Sequence, residues 1–453
     1  CTFEGNTANS REGGAIYINN QLVTISKCTF SQNKASNGQA IYVANAKAQI
    51  IINQDTTFTS DMNDEITDFQ YTIVLKNTDT ELTNVEFRCP QVNNKQSYPI
   101  LFDSTESQIK ANFQNVVSHD SSLLVVPSTQ TSFVPLNSFS FLNCQAKDYV
   151  IQNFNPNFEI QNSVIQCDNG VTNTFGAIQI LSIGSASIIN TRFINLNKDS
   201  IVNYNHANKA TSDNSITIED SRFENCYGCC LYLNVESESL DSIHIDRCTF
   251  DSCEKGTDQS IVVGAARTSD SISLNVDNCK FNNCGSKQGS GYLFYWDVNK
   301  AANENGELTF NNNEFKFDNM NTARVAFRLI QEGKSVTINN CTFENLPRAP
   351  GAPWENAFSV NNLANFNLEK CTFTECGHGG NVFVIQSGVV RATIRNNTIY
   401  YANPNSCGSG ISTYTDNIAI IGNRIINCNE NTIRIECNGG QFELIDNYFT
   451  GCN

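Results

Sequence analysis

The chain has 453 residues and a formal net charge of −16, and charged residues make up only 16% of it. This acidic balance disfavours nucleic acids and anionic membrane surfaces as partners, because phosphate binding needs clustered Lys and Arg. No apolar run approaches the roughly 18 residues of a membrane-spanning helix, so we predict no membrane span in this chain.

A repeat of roughly 28 residues runs from one end of the chain to the other. Its clearest sign is Cys-x-Phe, and we call this Phe, or the Ile that replaces it, the marker residue. A fixed period of this length indicates stacked supersecondary units that pack on their neighbours. The marker residues are Phe3, Phe30, Phe58, Phe87, Phe113, Phe141, Ile165, Phe193, Phe223, Phe250, Phe281, Phe315, Phe343, Phe373, Ile399, Ile425 and Phe449.

Each repeat has the same internal order of elements. A short apolar segment comes first, as at 15–18 and 40–43, and a variable loop follows it. A second segment then alternates apolar with polar residues, as at 22–25 and 243–245, and leads into the marker and a polar corner. Period-two alternation over about five residues predicts half-buried strands, and no segment keeps a helical period.

These elements predict an all-β fold, a single-stranded right-handed parallel β-helix (solenoid) of about 16 turns with one repeat in each turn. We expect one continuous domain over 1–453. The chain begins and ends inside a repeat, so we interpret it as a fragment of a longer repeat protein. The marker residues are expected to stack in one interior ladder. Corner residues such as Asn6, Asn33 and Asn225 are expected to adopt left-handed backbone conformations.

The first repeats contain the motifs Gly13-Gly14-Ala15-Ile16, Phe3-x-x-Asn6 and Phe30-x-x-Asn33. They resemble the GGAI and FxxN repeats of polymorphic outer membrane proteins. More widely, the chain resembles the pectin-lyase-like right-handed parallel β-helix superfamily. The resemblance implies an extended, surface-exposed stalk of adhesin-like character. In many later repeats Cys replaces the corner Asn.

The chain contains 19 cysteines, which favours an oxidising compartment, and we predict an extracellular or cell-surface location. Equivalent Cα atoms of neighbouring turns are expected about 4.8 Å apart, within disulfide reach, but side chains in a parallel ladder point the same way. Two alternatives stay open, disulfides between turns and a ladder of reduced, buried thiols. The disulfide candidates are Cys1, Cys28, Cys226, Cys248, Cys253, Cys279, Cys284, Cys341, Cys371, Cys376, Cys428 and Cys452.

Three acidic residues, Glu219, Asp246 and Asp277, each lie four residues before a marker residue in successive repeats. They are expected to form an outward acidic ladder. We interpret it as a solvated face and predict no cofactor. Calcium held between turns is one alternative, because stacked carboxylates suit a hard cation, and carboxylate catalysis is another.

Two further groups are candidate sites. Tyr295, Trp296 and Trp354 are glycan-stacking candidates, because exposed aromatic rings bind sugars, although strand alternation places some of these rings inside. Asn340 and Asn396 each begin an Asn-x-Thr sequon and are candidate glycosylation sites.

The uniform repeat favours a non-catalytic structural or adhesive rod of a large extracellular or cell-surface protein, and not an enzyme. Bare coil ends expose strand edges, so further repeats or other copies of the chain are expected to cover them, and filaments can result. Glycans are the other candidate partners. The alternatives are a carbohydrate-active β-helix enzyme, a polysaccharide lyase or hydrolase, and a glycan-binding module.

Overall fold

The structure, a computed structural model, divides into two compact units, Cys1–Tyr204 and Asn205–Asn453. The single domain over 1–453 stays a prediction. The described residues are 1–19, 21–44, 48–59, 69–89, 96–103, 109–127, 134–168, 175–181, 184–203, 215–234, 241–253, 263–266, 273–284, 293–298, 307–317, 327–345, 358–376, 382–385, 388–400, 410–428, 432–436 and 439–452.

The second unit is a coil of three parallel ladders of strands. The apolar ladder comprises Leu231–Asn234, Val263–Ala266, Phe294–Val298, 327–331, 358–361, Phe383–Ile385, Ile411–Thr413 and Ile433–Ile435. The alternating ladder comprises Ser215–Glu219, Ser242–Asp246, Ser273–Asp277, Glu307–Asn311, 334–339, 363–369, Arg391–Arg395, Asn417–Ile421 and Gln441–Ile445. The marker ladder comprises Arg222–Glu224, Thr249–Asp251, Lys280–Asn282, Glu314–Lys316, Thr342–Glu344, Thr372–Thr374, Thr398–Tyr400, Arg424–Ile426 and Tyr448–Thr450. Two long strands, Phe327–Asn339 and Phe358–Glu369, run through both of the first two ladders.

The first unit is built in the same way. Its apolar ladder comprises Ile16–Ile18, Ile41–Val43, Phe69–Lys76, Gln96–Asp103, Leu124–Val126, Tyr149–Asn153, Gly176–Ile180 and Ile201–Asn203. A second ladder comprises Leu22–Ser26, Gln49–Asn53, Asp79–Arg88, Ala111–Ser118, Phe139–Leu142, Val164–Gln166 and Arg192–Ile194. Shorter ladders comprise Thr2–Glu4, Thr29–Ser31 and Thr56–Thr59, then Val134–Asn137, Asn157–Gln161 and Ser185–Ile189, and finally Thr7–Glu12 with Lys34–Asn37.

The all-β prediction is confirmed, because the described elements are strands joined by parallel pairing. The described residues contain no helix long and apolar enough to cross a membrane.

Marker residues stack inside each coil. In the second unit, the ring centroids of Phe223 and Phe250 lie 4.8 Å apart and those of Phe343 and Phe373 lie 4.6 Å apart, with the rings within 6° of parallel. These distances match the spacing of neighbouring strands. Each buried ring contributes roughly 1.5–3 kcal/mol of burial.

The prediction of a single ladder of marker residues is wrong at one place. Phe3, Phe30, Phe58 and Phe87 stack on one another, but Phe87 is in register with Ser118. Phe113 is in register with Leu82, five residues before Phe87, and stacks on Phe141. Both register positions point inward, so either one can hold a marker Phe. The spacing of residues within one repeat therefore does not show which position a given marker occupies.

The repeat predicted about 16 turns, whereas the described residues form about 11. Many segments between the ladders lie outside the described residues. The number of marker strands is therefore not the number of complete turns. The ladder also changes position at Phe113.

Left-handed corners flank the marker strands. In the second unit, Asn225 has a φ of 51°, as predicted, and the residues after the alternating strands include Asn278, Asn312 and Asn340 with φ between 53° and 56°. The prediction was wrong for Asn6 and Asn33, because the left-handed residues there are their predecessors, Gly5 and Gln32.

Candidate functional site

The cysteines two residues before the marker form a hydrogen-bonded ladder of thiols. The Cys279 Sγ lies 3.1 Å from the carbonyl oxygen of Asp277 and 3.6 Å from that of Ile245, one turn earlier, and its single S–H donates to one of them at a time or is shared between them. The Cys248 backbone N–H donates to Cys279 Sγ at 3.4 Å. The sulfur of Cys279 therefore joins neighbouring turns as both donor and acceptor. The same holds for the sulfurs of Cys341 and Cys371.

Other polar residues do the same in turns that lack Cys. Ser221 Oγ donates to the Glu219 carbonyl oxygen at 2.8 Å, and Thr191 Oγ1 donates to that of Ile189 at 3.0 Å. Asn313 Oδ1 accepts the Cys279 N–H at 2.8 Å. The position thus selects a short side chain that both donates and accepts, and Cys is one of several that do so.

In the FxxN motif, the residue three positions after the marker is Asn. Where Cys occupies this position, it contacts the same carbonyl oxygen as the Asn does. Asn33 Nδ2 donates to the carbonyl oxygen of Phe3, a marker residue one turn earlier, at 3.0 Å. The Cys253 thiol donates to the equivalent carbonyl of Phe223 at 3.5 Å.

Four buried thiols, those of Cys226, Cys230, Cys253 and Cys284, lie close together in the second unit. Burial raises the pKa of the Cys230 and Cys253 thiols. A protonated buried thiol is a poor nucleophile and a poor metal ligand. The described cysteines are not joined by disulfides in this structure. The choice between disulfides and reduced thiols stays a prediction.

The predicted acidic ladder forms in register, because Glu219 pairs with Asp246 and Asp246 pairs with Asp277. The structure adds a cation that the sequence argument overlooked. Arg247 Nη2 lies 3.2 Å from a Glu219 oxygen, Nη1 contacts Asp246, and Nε lies 2.7 Å from an Asp220 oxygen. The guanidinium holds the pKa of Asp220 below its usual range.

Amide groups occupy further oxygens of this ladder. Asn278 Nδ2 donates to Asp246 Oδ1, and Asn311 Nδ2 donates to Asp277 Oδ1, both at 2.8 Å. Within the described ranges, no three His, Cys, Asp or Glu side chains are grouped so as to hold a metal ion.

The prediction of a solvated face is wrong for Asp246, which is 7% exposed because Arg247 and Asn278 cover its carboxylate, whereas Glu219 and Asp277 are half-buried. The absence of a cofactor stays a prediction.

Of the three glycan-stacking candidates, Trp296 belongs to the core. Its side chain is 1% exposed and points inward in the apolar ladder, because alternate strand residues face opposite sides. Tyr295 is in register with Gly264 and Arg328, but its side chain lies outside the described set. Trp354 also lies outside the described residues.

Both sequon asparagines are exposed at left-handed corners, with φ of 53° for Asn340 and 57° for Asn396. Asn340 Nδ2 donates to Asn312 Oδ1 at 2.8 Å. Glycosylation of either residue stays a prediction.

A groove of about 290 Å³ opens on the outward face of the last three strands of the alternating ladder. Sequence reasoning missed it, because its residues come from three repeats and match no motif. Its lining residues include Val390, Arg391, Asn417, Ala419, Gln441 and Glu443.

Comparison with known proteins agrees with this architecture. Residues 298–453 match the family model described as the right-handed beta helix region. No curated protein is similar enough to the chain to count as a match. The fold is a right-handed parallel β-helix, as the sequence predicted.

Proposed function

We propose that the chain is a non-catalytic structural or adhesive scaffold of an extracellular or cell-surface protein. The observation that carries the proposal is the outward face of the alternating ladder in the second unit. Register pairing places short polar residues there in successive turns, including Thr309, Thr337, Asn367 and Thr393, all half-buried. Such a face presents hydroxyl and amide groups at the strand spacing of about 4.8 Å.

Charged side chains of the same unit are matched along the axis of the coil. Lys280 Nζ lies 3.7 Å from a Glu314 carboxylate oxygen, and Lys316 Nζ lies 3.5 Å from one of Glu344. In pairs of this kind each charge is balanced by its neighbour. They therefore support a surface that makes contacts more than one that carries out a reaction. Because they are exposed, each adds at most about 1 kcal/mol to stability.

Contacts with other copies or with further repeats form part of the proposal. Phe442, Leu444 and Phe449 point inward in the last turn of the second unit, but they are 38% to 48% exposed. Another turn stacked on this end would bury them. We expect light scattering to show concentration-dependent association, and a Phe442→Lys variant to weaken it. Association that is unchanged in this variant would remove this end from the proposed contact.

Turnover assays test the non-catalytic part. The chain is incubated with a panel of neutral and acidic polysaccharides, and new reducing ends and unsaturated products are measured. We expect neither above the level of heat-denatured chain. Sustained release of either product would overturn the proposal in favour of a carbohydrate-active enzyme.

A further inference from the structure

The groove on the alternating ladder is formed by one small residue in a row of larger ones. Thr393, Ala419 and Glu443 are in register on three neighbouring strands. Ile418 and Ile420 are buried on the inner side, so Ala419 faces outward. Its methyl group forms an apolar floor between two longer side chains.

A second outward row, two residues earlier, lines the groove with polar groups. Arg391, Asn417 and Gln441 occupy one register position in the same three strands, and all are exposed. Asn417 Nδ2 donates to the carbonyl oxygen of Val390 at 3.2 Å, which holds the Asn417 amide at the edge of the groove. Val390 itself is 65% exposed and adds apolar surface to the rim.

The charges of this groove differ from those elsewhere on the face. Arg395, four residues after Arg391 on the same strand, lies 3.7 Å from a Glu369 carboxylate oxygen. Arg391 and Glu443 have no ion pair or hydrogen bond to any other side chain among the described residues. They stand two strands apart and two residues apart in register, about 12 Å by the strand spacing and the rise per residue, and the Ala419 floor lies beside the line that joins them.

We infer that this groove binds one pyranose residue of a glycan, an inference that rests on the proposed adhesive function and gives it a site. A pyranose ring has an apolar C–H face and an edge of hydroxyl groups that both donate and accept. Ala419 and Val390 match the face. The Arg391 guanidinium donates, the Glu443 carboxylate accepts, and the Asn417 and Gln441 amides do both. A volume of about 290 Å³ holds a single ring, at the lower end of the range for ligand sites.

The test uses the whole chain on a glycan array, followed by titration calorimetry with the oligosaccharides that bind. Ala419→Gln fills the groove at an outward position whose register neighbours already have longer side chains. Arg391→Gln removes the donor charge. The matched control is Arg395→Gln, on the same strand and the same face as Arg391 but outside the groove, where the charge is already paired with Glu369. We expect both groove variants to bind at least about tenfold more weakly. Arg391→Gln loses one charge-assisted hydrogen bond, and Ala419→Gln fills the space that the ring would occupy. The control should bind as the parent does.

Several results would overturn the inference. One is binding that survives Ala419→Gln, and another is an array on which no glycan is retained by the parent chain. A third is equal loss in the control, which would show a general effect on the face. Thermal unfolding of each variant separates these results from misfolding, and Arg391→Gln, at an exposed position, serves where Ala419→Gln unfolds. Turnover of a bound glycan would instead sink the non-catalytic proposal and leave the groove assignment intact.

Discussion

The backbone N–H of Cys248 donates to Sγ of Cys279 in the next turn, at 3.4 Å. The single S–H of Cys279 is within hydrogen-bonding distance of two carbonyl oxygens, so this sulfur is an element of the coil's hydrogen-bond network. A disulfide between the two residues would remove both thiol donors. The same need for a side chain that donates and accepts hydrogen bonds explains why Ser, Thr or Asn replaces Cys at this position in other turns.

The first prediction concerns this hydrogen-bonding role. Cys279→Ala leaves the buried Cys248 N–H without its acceptor, which should lower the free energy of unfolding by about 1–3 kcal/mol. Cys279→Ser keeps a donor and an acceptor and should cost clearly less. Urea denaturation of both variants measures the difference. Equal losses would show that the sulfur acts through its volume alone.

The second prediction concerns the redox state of the cysteines. Cys1 is exposed and Cys452 half-buried, whereas the other described thiols are buried. Brief alkylation of the native chain should label Cys1 first, and residues such as Cys248 and Cys279 only after unfolding. Peptide mapping by mass spectrometry locates the label. A native Cys248–Cys279 disulfide in chain prepared without reductant would contradict the thiol ladder.

The third prediction tests the change of register in the first unit. Phe113→Ala should cost about 3–5 kcal/mol, because its side chain is fully buried. In double-mutant cycles, Phe113→Ala should couple with Leu82→Ala by at least about 0.5 kcal/mol, since these residues are register partners. Coupling that is larger with Phe87→Ala than with Leu82→Ala would restore the single ladder of the sequence prediction.

The fourth prediction concerns calcium. Arg247 already pairs with Glu219, Asp220 and Asp246, so millimolar CaCl2 should leave the melting temperature of the parent chain unchanged beyond the effect of matched MgCl2. Arg247→Gln removes the competing cation and should make the melting temperature respond to calcium. A calcium-specific rise in the parent chain would revive the metal alternative for the acidic ladder.

The fifth prediction concerns alkaline pH. Burial raises the pKa of the Cys144 thiol from its ordinary 9.0 to about 12 and that of the Tyr71 hydroxyl to about 12. A folded-state pKa above the unfolded value means stability that is complete below pH about 9 and lost as the pH rises toward 12. Each thiol that must ionise costs about 1.4 kcal/mol per pH unit in that window.

Denaturation midpoints between pH 7 and pH 11 measure this loss. Cys144→Ser is the matched variant, because a serine hydroxyl does not ionise there, and its midpoint should fall less steeply. Identical slopes for the parent and the variant would show that Cys144 does not contribute.

Much of the fold was predictable, because a solenoid repeats one local pattern. Phe223, Phe250 and Phe281 stack in the predicted order, and Glu219, Asp246 and Asp277 are in the predicted register. The sites were less predictable. Period-two alternation shows that neighbouring strand residues such as Tyr295 and Trp296 face opposite sides, but not which of them is inside. Arg247 was overlooked because two of its three partners, Glu219 and Asp220, are 28 and 27 residues away in sequence.

The sequence by itself determined the parallel coil, since a period of roughly 28 residues with alternating strands has no other way to bury its apolar face. It also determined which positions carry Phe and Cys. Only the tertiary structure decided that Phe113 sits over Leu82, that the Cys279 sulfur contacts carbonyl groups of two turns, and that Ala419 leaves a groove lined by Arg391 and Glu443. These features depend on which residues of different turns become neighbours, and loops of unequal length hide that register from the linear sequence.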